Sequence, residues 1–255
     1  FIFHYPKPYI ALLDGITMGG GVGISIHGSH RVATDRLLFA MPETGIGFFP
    51  DVGGTYFLPR LPGQMGYYLG LTGARVKSDD CVALGIAQHK VSHECLSDLL
   101  NALAQESYHG DAKTAVTKII DQFKINIGST ELRDMQPMLD ECFQQNTMEE
   151  ILQALHHHNH PLCQETANTI VKKSPTSLKV TLRALQEGKY LDFDTCMRHE
   201  YRLTNRFLRG HDFPEGIRAV IIDKDHSPHW MPSTLHEVTR QDVEEYFSTL
   251  ENELI

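Results

Sequence analysis

The pattern of hydrophobic and polar positions changes character along the 255-residue chain. Near the start, the short apolar runs "PYIALLDG" (8–15) and "LLFAMPE" (37–43) predict buried strands. Between them, "GGGVGISIHGSHRV" (19–32) predicts a glycine-rich turn that leads into a tightly packed helix. After Pro59 the density of Gly and Pro falls, and a helical period predominates. The predicted helices cover 78–86, 95–106, 112–123, 129–145, 148–157, 163–173, 175–187, 192–209 and 239–249.

This change of pattern predicts two regions. We expect an α/β region over 1–105 and a helical C-terminal region over 106–255. Within the second region, Thr239 stands three residues before Asp242, which is close to the spacing of a capping box. The sequence starts at Phe1 rather than at a Met, and we therefore expect it to be a piece of a longer protein.

Charge and composition disfavour several classes of partner. The formal net charge is −9, and Lys and Arg are scattered, so nucleic acid is not an expected partner. No signal-peptide pattern or apolar run of about 18 residues occurs, and we expect a soluble protein without a membrane partner. The five cysteines lack CxxC spacing, which favours reduced thiols over disulfides or a zinc site.

The segment "MPETGIGFFPDVGG" (41–54) combines two carboxylates, Glu43 and Asp51, with mostly apolar neighbours. An apolar setting raises the pKa of a carboxyl group and suits it to act as a base or nucleophile. Each residue also has a structural alternative. Glu43 is able to cap a turn after Pro42, and Asp51 is able to form an Asx turn into Gly53.

The glycine run in "DGITMGGGVGIS" (14–25) is the second segment with chemical potential. Its spacing matches neither GxGxxG nor a phosphate loop, which disfavours a nucleotide site. Glycines before a helix admit a ligand close to the backbone, and free N–H groups there can stabilise an oxyanion. The alternative is that glycine is needed for close helix–strand packing. Together with two carboxylates about 20 residues later, the run favours acyl or enolate chemistry.

Four longer motifs carry a family resemblance: "KPYIALLDGITMGGGVGISIHGSHRVAT", "FAMPETGIGFFPDVGGTYFLPRLPG", "LTGARVKSDDCVALGIAQHKV" and "EYRLTNRFLRGHDFPEGIRAVIIDKDHSPHW". They cover most of 7–91 and 174–231, and they resemble the crotonase (enoyl-CoA hydratase/isomerase) superfamily, above all its 3-hydroxyacyl-CoA thioester hydrolases. The resemblance implies an α/β fold of repeated ββα turns that form a spiral. It also implies that the N-terminal half of this fold lies outside this sequence and that a helical C-terminal region covers the site.

The resemblance also implies site residues. The N–H of Gly20, flanked by Gly19 and Gly21, is expected to be one of two oxyanion donors, and Glu43 and Asp51 are expected to be the catalytic pair. The second donor and much of the adenine site are expected in the missing N-terminal half. Hydratases of the family carry a glutamate three residues beyond the middle glycine, where this chain has Gly23. Because each acid/base group typically contributes about 10²–10⁴-fold, this difference favours thioester hydrolysis.

The resemblance further implies an acyl-CoA substrate, a role in valine degradation and no cofactor, since coenzyme A is part of the substrate. The chain is also expected to form a homo-oligomer. Its location is expected to be the cytoplasm in a bacterium and the mitochondrial matrix in a eukaryote. Three alternatives stay open: an enoyl-CoA hydratase or isomerase in which Glu43 alone moves the proton, a non-catalytic binding subunit of the same fold, and an inactive fragment of an active enzyme.

Three further features have both a functional and a structural interpretation. Lys224 either contacts a CoA phosphate or is a solvated side chain between two aspartates. The pair Phe48–Phe49 either lines an acyl pocket or fills the core. A histidine cluster at a helix end has residues that point in diverging directions, so no metal is expected there; it comprises His156, His157, His158 and His160.

Overall fold

The computed structural model describes residues 1–254. Its strands are β1 (Ile10–Leu13), β2 (Ile16–Thr17), β3 (His30–Thr34), β4 (Leu38–Phe39), β5 (Val76–Lys77) and β6 (His89–Val91). Its helices are α1 (Gly20–Gly23), α2 (Gly54–Phe57), α3 (Met65–Thr72), α4 (Ser78–Ala83), α5 (Leu96–Gln105), α6 (Ala112–Phe123), α7 (Glu131–Asp134), α8 (Gln136–Phe143), α9 (Met148–His157), α10 (Pro161–Ile170), α11 (Pro175–Gly188), α12 (Phe193–Phe207), α13 (Asp212–Ile217) and α14 (Arg240–Phe247).

The chain divides into two compact units, each built from two segments. The first unit comprises 1–40 and 75–135, and the second comprises 41–74 and 136–255, of which Ile255 lies outside the described residues. The sequence instead predicted one contiguous boundary at residue 105. The division into an α/β region over 1–105 and a helical region over 106–255 stays a prediction.

The first unit contains two small sheets. In one, β3 pairs in parallel with both β1 and β6; in the other, β4 pairs in parallel with β2 and antiparallel with β5. The apolar side chains of β3 and β6 pack with α5 and α6, where Val32, Val91, Leu99 and Ile120 are fully buried. Parallel strands covered by helices are typical of α/β proteins.

Both predicted strands are present, but they are shorter than the apolar runs. The interpretation of 19–32 as a turn leading into a helix was only partly right. The helix α1 ends at Gly23, and the strand β3 begins at His30, where it pairs with Ile10 of β1. The strand β3 was not predicted, because its pairing partners stabilise it and the glycine-rich composition of 19–32 does not indicate a strand.

The second unit is mainly helical, and its core surrounds one aromatic cluster. Phe49 stacks on Phe207 of α12 with ring centroids 5.5 Å apart, and Phe48 lies edge-on to Phe207 at the same distance. Val180 of α11 and Leu203 of α12 also belong to this core. Thus helices more than 120 residues away in sequence support the segment that carries Glu43 and Asp51.

Most of the predicted helices agree with the observed ones to within three residues at each end. The helix predicted over 129–145 is instead interrupted, since α7 ends at Asp134 and α8 starts at Gln136. The capping box of α14 is confirmed, because the Thr239 hydroxyl accepts from the Asp242 N–H and the Asp242 carboxylate accepts from the Thr239 N–H. The short α2 and α3 were not predicted.

Candidate functional site

Glu43 is the first residue of a 3₁₀ turn that ends at Ile46 in the second unit. Its side chain is only 5% exposed, and its Oε2 has no hydrogen-bond partner among residues 1–254. Burial raises the pKa of Glu43 from 4.5 to about 8, and the charges of Asp51 and Glu200 act in the same direction. Free Glu43 is therefore mostly protonated at neutral pH, and one of its oxygens has no donor within the described part of the chain.

The turn of Glu43 is held by close packing against α13. Gly47 has φ +69°, and a Cβ added there would overlap the carbonyl oxygen of Asp212. In turn, a Cβ on Gly216 would overlap the carbonyl oxygen of Ile46. Glycine is thus required on both sides of this contact, which fixes the backbone on which Glu43 stands.

Asp51 lies half-buried in the next turn, and burial also raises its pKa. The N–H of Gly54 donates to the backbone carbonyl of Asp51 over 2.7 Å, so this hydrogen bond does not use the carboxylate. The following residue, Val52, has φ +53°, which is strained for a β-branched side chain. Local strain of this kind is typical of functional sites and needs support from the surrounding structure.

That support includes a third carboxylate, Glu200 of α12, which sequence reasoning missed. Its side chain is 3% exposed. Oε2 accepts from the Gly53 N–H (2.8 Å), and Oε1 accepts from the N–H (3.0 Å) and hydroxyl (2.6 Å) of Thr55. Burial raises the pKa of Glu200 to about 7 in spite of these hydrogen bonds, and the charge of Asp51 adds to the effect.

One signal in the sequence points to Glu200. It lies on the buried face of α12, which otherwise carries Cys196, Leu203 and Phe207 at helical spacing. A carboxylate at such an apolar position must find a partner or lose its charge. Its partners are about 145 residues earlier in the chain, and no pattern within α12 identifies them.

Three interacting carboxylates in a largely buried setting suit acid–base or nucleophilic chemistry. Groups with pKa values near neutrality transfer protons in both directions at physiological pH. The pair Phe48–Phe49 belongs to the core of the second unit, where Phe48 is 7% exposed and Phe49 is fully buried. The core interpretation of these rings is therefore the one that the structure supports.

The glycine turn belongs to the first unit. Gly19 has φ +50° and precedes α1, and a Cβ added to Gly19 or Gly20 would meet no atom of residues 1–254 within 4 Å. Gly21 has only an ordinary contact of 3.9 Å with Thr17. Close packing among the residues that the structure describes therefore does not explain these glycines, and the oxyanion role of Gly20 stays a prediction.

Lys224 is exposed and adopts a positive φ of 56° in the segment after α13. Its neighbours Asp223 and Asp225 both bind Arg218, at 2.7 and 2.6 Å. The expected contact of Lys224 with a CoA phosphate stays a prediction.

The histidine cluster has local structural roles. The ring of His160 accepts from the Leu162 N–H at the start of α10, and the ring of His157 bonds the Gln153 carbonyl oxygen at 2.7 Å. Residues 1–254 contain no group of three or more His, Cys, Asp or Glu side chains arranged for a metal ion. None of the helices described in this chain is both long enough and apolar enough to cross a membrane.

Comparisons with known proteins agree with the fold. The family model described as enoyl-CoA hydratase/isomerase matches residues 1–247. The mitochondrial 3-hydroxyisobutyryl-CoA hydrolases of Rattus norvegicus and Homo sapiens are each 48% identical over 257 residues, which is 96% of this chain and 64% of the relative. The chain thus spans slightly less than two thirds of the length of these curated relatives.

Two solved structures are also similar over nearly the whole chain. A carnitinyl-CoA dehydratase from Mycobacterium thermoresistibile has a TM-score of 0.92 and 40% identity, covering 100% of this chain and 72% of that one. An enoyl-CoA hydratase from Rhodobacter sphaeroides 2.4.1 has a TM-score of 0.87 and 35% identity, covering 98% and 70%. The predicted crotonase-like α/β fold class is confirmed, and the chain belongs to the enoyl-CoA hydratase/isomerase family.

Proposed function

We propose that the protein hydrolyses a 3-hydroxyacyl-CoA thioester, and specifically 3-hydroxyisobutyryl-CoA, to the free acid and coenzyme A. The observation that carries this proposal is the buried Glu43, whose Oε2 lacks a partner among residues 1–254 and whose pKa is about 8, in electrostatic contact with Asp51. The names of the curated relatives support the substrate. The reaction consumes one water, needs no redox step and requires no cofactor.

Glu43 is the central group of the proposed reaction. Once ionised, its carboxylate either attacks the thioester carbon to give an acyl-enzyme anhydride, which water then hydrolyses, or removes a proton from an attacking water. Either route breaks the bond from the acyl carbon to sulfur and releases the CoA thiolate, which takes up a proton. In both routes the carbonyl oxygen gains negative charge, for which we propose the N–H of Gly20 as one donor.

Asp51 is proposed to bind the 3-hydroxyl group or to pass a proton to the leaving thiolate. Its half-buried position in the same segment as Glu43 supports both roles, and burial raises the pKa of its carboxyl group. Lys224 is proposed to contact a CoA phosphate.

We extend the proposal to the cell from the names of the relatives. The mitochondrial relatives support the mitochondrial matrix as the location in a eukaryote, and the cytoplasm is the location we propose for a bacterium. The reaction then belongs to valine degradation. Assembly into a homo-oligomer is proposed from the family resemblance alone.

A second candidate function is hydration or dehydration of an acyl-CoA, which the names of the two similar solved structures favour. Position 23 argues against it, because the glycine there leaves Glu43 without the second glutamate of the hydratase pattern. A non-catalytic binding subunit is disfavoured by the free-energy penalty of burying Glu43 with an oxygen that no group in 1–254 partners.

The test is release of free thiol from 3-hydroxyisobutyryl-CoA by the full-length natural protein, with hydration of crotonyl-CoA measured in parallel. We expect rapid release by the wild type and a loss of at least about 100-fold in Glu43→Gln and Asp51→Asn. Glu43→Gln should still bind the thioester. Glu141→Gln, which changes an exposed carboxylate of α8, is the matched control and should retain full activity. Hydration without thiol release would overturn the proposal.

A further inference from the structure

The carboxylate of Glu200 connects α12 to the backbone immediately after Asp51. Its two oxygens accept the N–H groups of Gly53 and Thr55, and the Gly54 N–H between them donates to the Asp51 carbonyl. The next two N–H groups, of Tyr56 and Phe57, donate to the Gly53 carbonyl at the start of α2. Every N–H from 53 to 57 thus has a partner, and Glu200 supplies two of the bonds.

The turn that Glu200 binds is strained. Val52, between Asp51 and Gly53, has a positive φ that β-branched residues avoid, and such a conformation persists only where neighbouring contacts impose it. Before the turn, Phe49 is clamped by Phe207 of α12. After the turn, Gly53 and Thr55 are clamped by Glu200 of the same helix. The helix α12 therefore holds the backbone on both sides of Asp51.

If Glu200 served only to stabilise the fold, a carboxylate would be an unfavourable group for holding this turn. Glu200 lies in the apolar face of α12, where burial penalises its charge and the charge of Asp51 adds repulsion. Two N–H groups and one hydroxyl converge on it, and only a carboxylate accepts all three from one side chain at this geometry. This arrangement fits a group selected for the placement of the turn.

We infer that Glu200 is a positioning residue of the proposed thioesterase site, which acts through the Gly53 and Thr55 backbone to hold Asp51 against its substrate. In this role Glu200 acts through its hydrogen bonds to Gly53 and Thr55 and is not itself a catalytic residue. The inference rests on the proposed function, and it adds a residue from α12 to the two carboxylates of the 41–54 segment.

The experiment is a double-mutant cycle between Glu200→Gln and Asp51→Asn in the full-length natural protein, with thiol release from 3-hydroxyisobutyryl-CoA as the assay. An amide at position 200 presents one acceptor and one donor, so one backbone N–H loses its partner. We expect kcat to fall by about 10- to 100-fold, with KM changed by less than about threefold, because small misplacements of catalytic groups have effects of this size. In the Asp51→Asn background, Glu200→Gln should have almost no further effect on kcat.

A purely structural role for Glu200 gives a different pattern. It would lower the melting temperature of Glu200→Gln while leaving kcat of the folded enzyme unchanged, or it would lower kcat by the same factor in the wild-type and Asp51→Asn backgrounds. Either result would overturn the inference. Absence of thiol release in the wild type would instead overturn the proposed function and with it the inference, so the two failures are distinguishable.

Two further variants control for folding. Asp192→Ala removes the N-cap of α12, where the Asp192 carboxylate accepts from the Thr195 N–H at 2.7 Å, and destabilises the same helix without touching the turn. It should lower the melting temperature and leave kcat within about twofold at 25 °C. Thr55→Val removes only the hydroxyl that donates to Glu200. It should lower kcat several-fold even if Glu200→Gln does not fold, and wild-type kcat in Thr55→Val would contradict the inference.

Discussion

Asp51 raises the pKa of Glu43 by the repulsion between their negative charges, although eight positions separate them in the sequence. The larger cause is burial of Glu43, and Glu200 contributes a further repulsion of the same sign. The free protein therefore holds Glu43 in its protonated form at neutral pH. Only the ionised carboxylate can act as the proposed nucleophile or base, so ionisation of Glu43 controls the proposed reaction.

The first prediction concerns the pH dependence of activity. Because the ionised form of Glu43 acts, kcat/KM for thiol release should rise about tenfold per pH unit below about 8 and level off above it. Asp51→Asn removes one of the repelling charges and so should shift this rise to lower pH in the residual activity. The measurement is a pH–rate profile with the non-enzymatic hydrolysis subtracted at each pH. A profile that is flat from about pH 6 to about pH 9 would contradict the assigned role of Glu43.

The second prediction concerns stability. The pKa of Glu43 is raised in the folded state, from 4.5 to about 8, so the folded protein holds this proton more tightly than the unfolded chain. The contribution of Glu43 to stability is therefore greatest below pH 4.5 and is lost as the pH rises from 4.5 to about 8. Glu43→Gln removes this loss. Relative to the wild type, the variant should gain a few kcal/mol between about pH 5 and about pH 8, as measured by urea unfolding.

The change with pH is the informative quantity in that experiment, because a buried amide has its own pH-independent penalty. Glu141→Gln serves as the control, since its exposed side chain should give the same difference from wild type at both pH values. An equal difference at the two ends of the range for Glu43→Gln would mean that Glu43 is already ionised in the folded protein.

Local pattern was sufficient to single out the two candidate carboxylates that lie in one segment. Glu43 and Asp51 stand out because carboxylates are rare among Gly, Pro and Phe, and their burial follows from the same composition. The capped helices were also predictable, since caps are encoded within a few residues, as at Thr239 and Asp242.

Features that depend on distant partners were not predictable in the same way. The strand β3 forms because β1 and β6 supply its hydrogen bonds, although a glycine run precedes it. The role of Glu200 is recognisable only in the folded chain, where the N–H groups of Gly53 and Thr55 donate to its carboxylate. Tertiary pairing of this kind leaves almost no trace in a single sequence.

A third prediction separates the two interpretations of the glycine run. In Gly20→Ala, the added methyl group meets no described atom of this chain within 4 Å, so the fold should be retained with a melting temperature within about 2 °C of wild type. If the thioester lies against this backbone, the methyl group should still reduce kcat/KM by at least about tenfold, since a backbone close to a ligand leaves no room for a side chain.

Gly28→Ala is the matched control for Gly20→Ala within the same unit. A Cβ at Gly28 would lie 2.8 Å from the ring of Tyr9 and 3.1 Å from the Ser25 carbonyl oxygen, so this variant should be destabilised. Thermal unfolding followed by circular dichroism measures the stability of the two variants, and thiol release measures their activity. Full activity of Gly20→Ala would remove Gly20 from the proposed oxyanion site.

The fourth prediction tests whether the contact of α13 with the Glu43 turn is rigid. Gly47→Ala places a methyl group on the carbonyl oxygen of Asp212 at a positive φ, so steric overlap adds to backbone strain. We expect a loss of at least about 3 kcal/mol, together with a fall in kcat, because the backbone of Glu43 must move. Gly85→Ala is the control, since Gly85 has φ +78° but a Cβ there would meet no atom of residues 1–254 within 4 Å. Strain alone should destabilise that variant by about 1–2 kcal/mol, with no effect on kcat. Equal losses of stability in the two variants would show that the turn can move away from Asp212. The contact with α13 would then not be what fixes the position of Glu43.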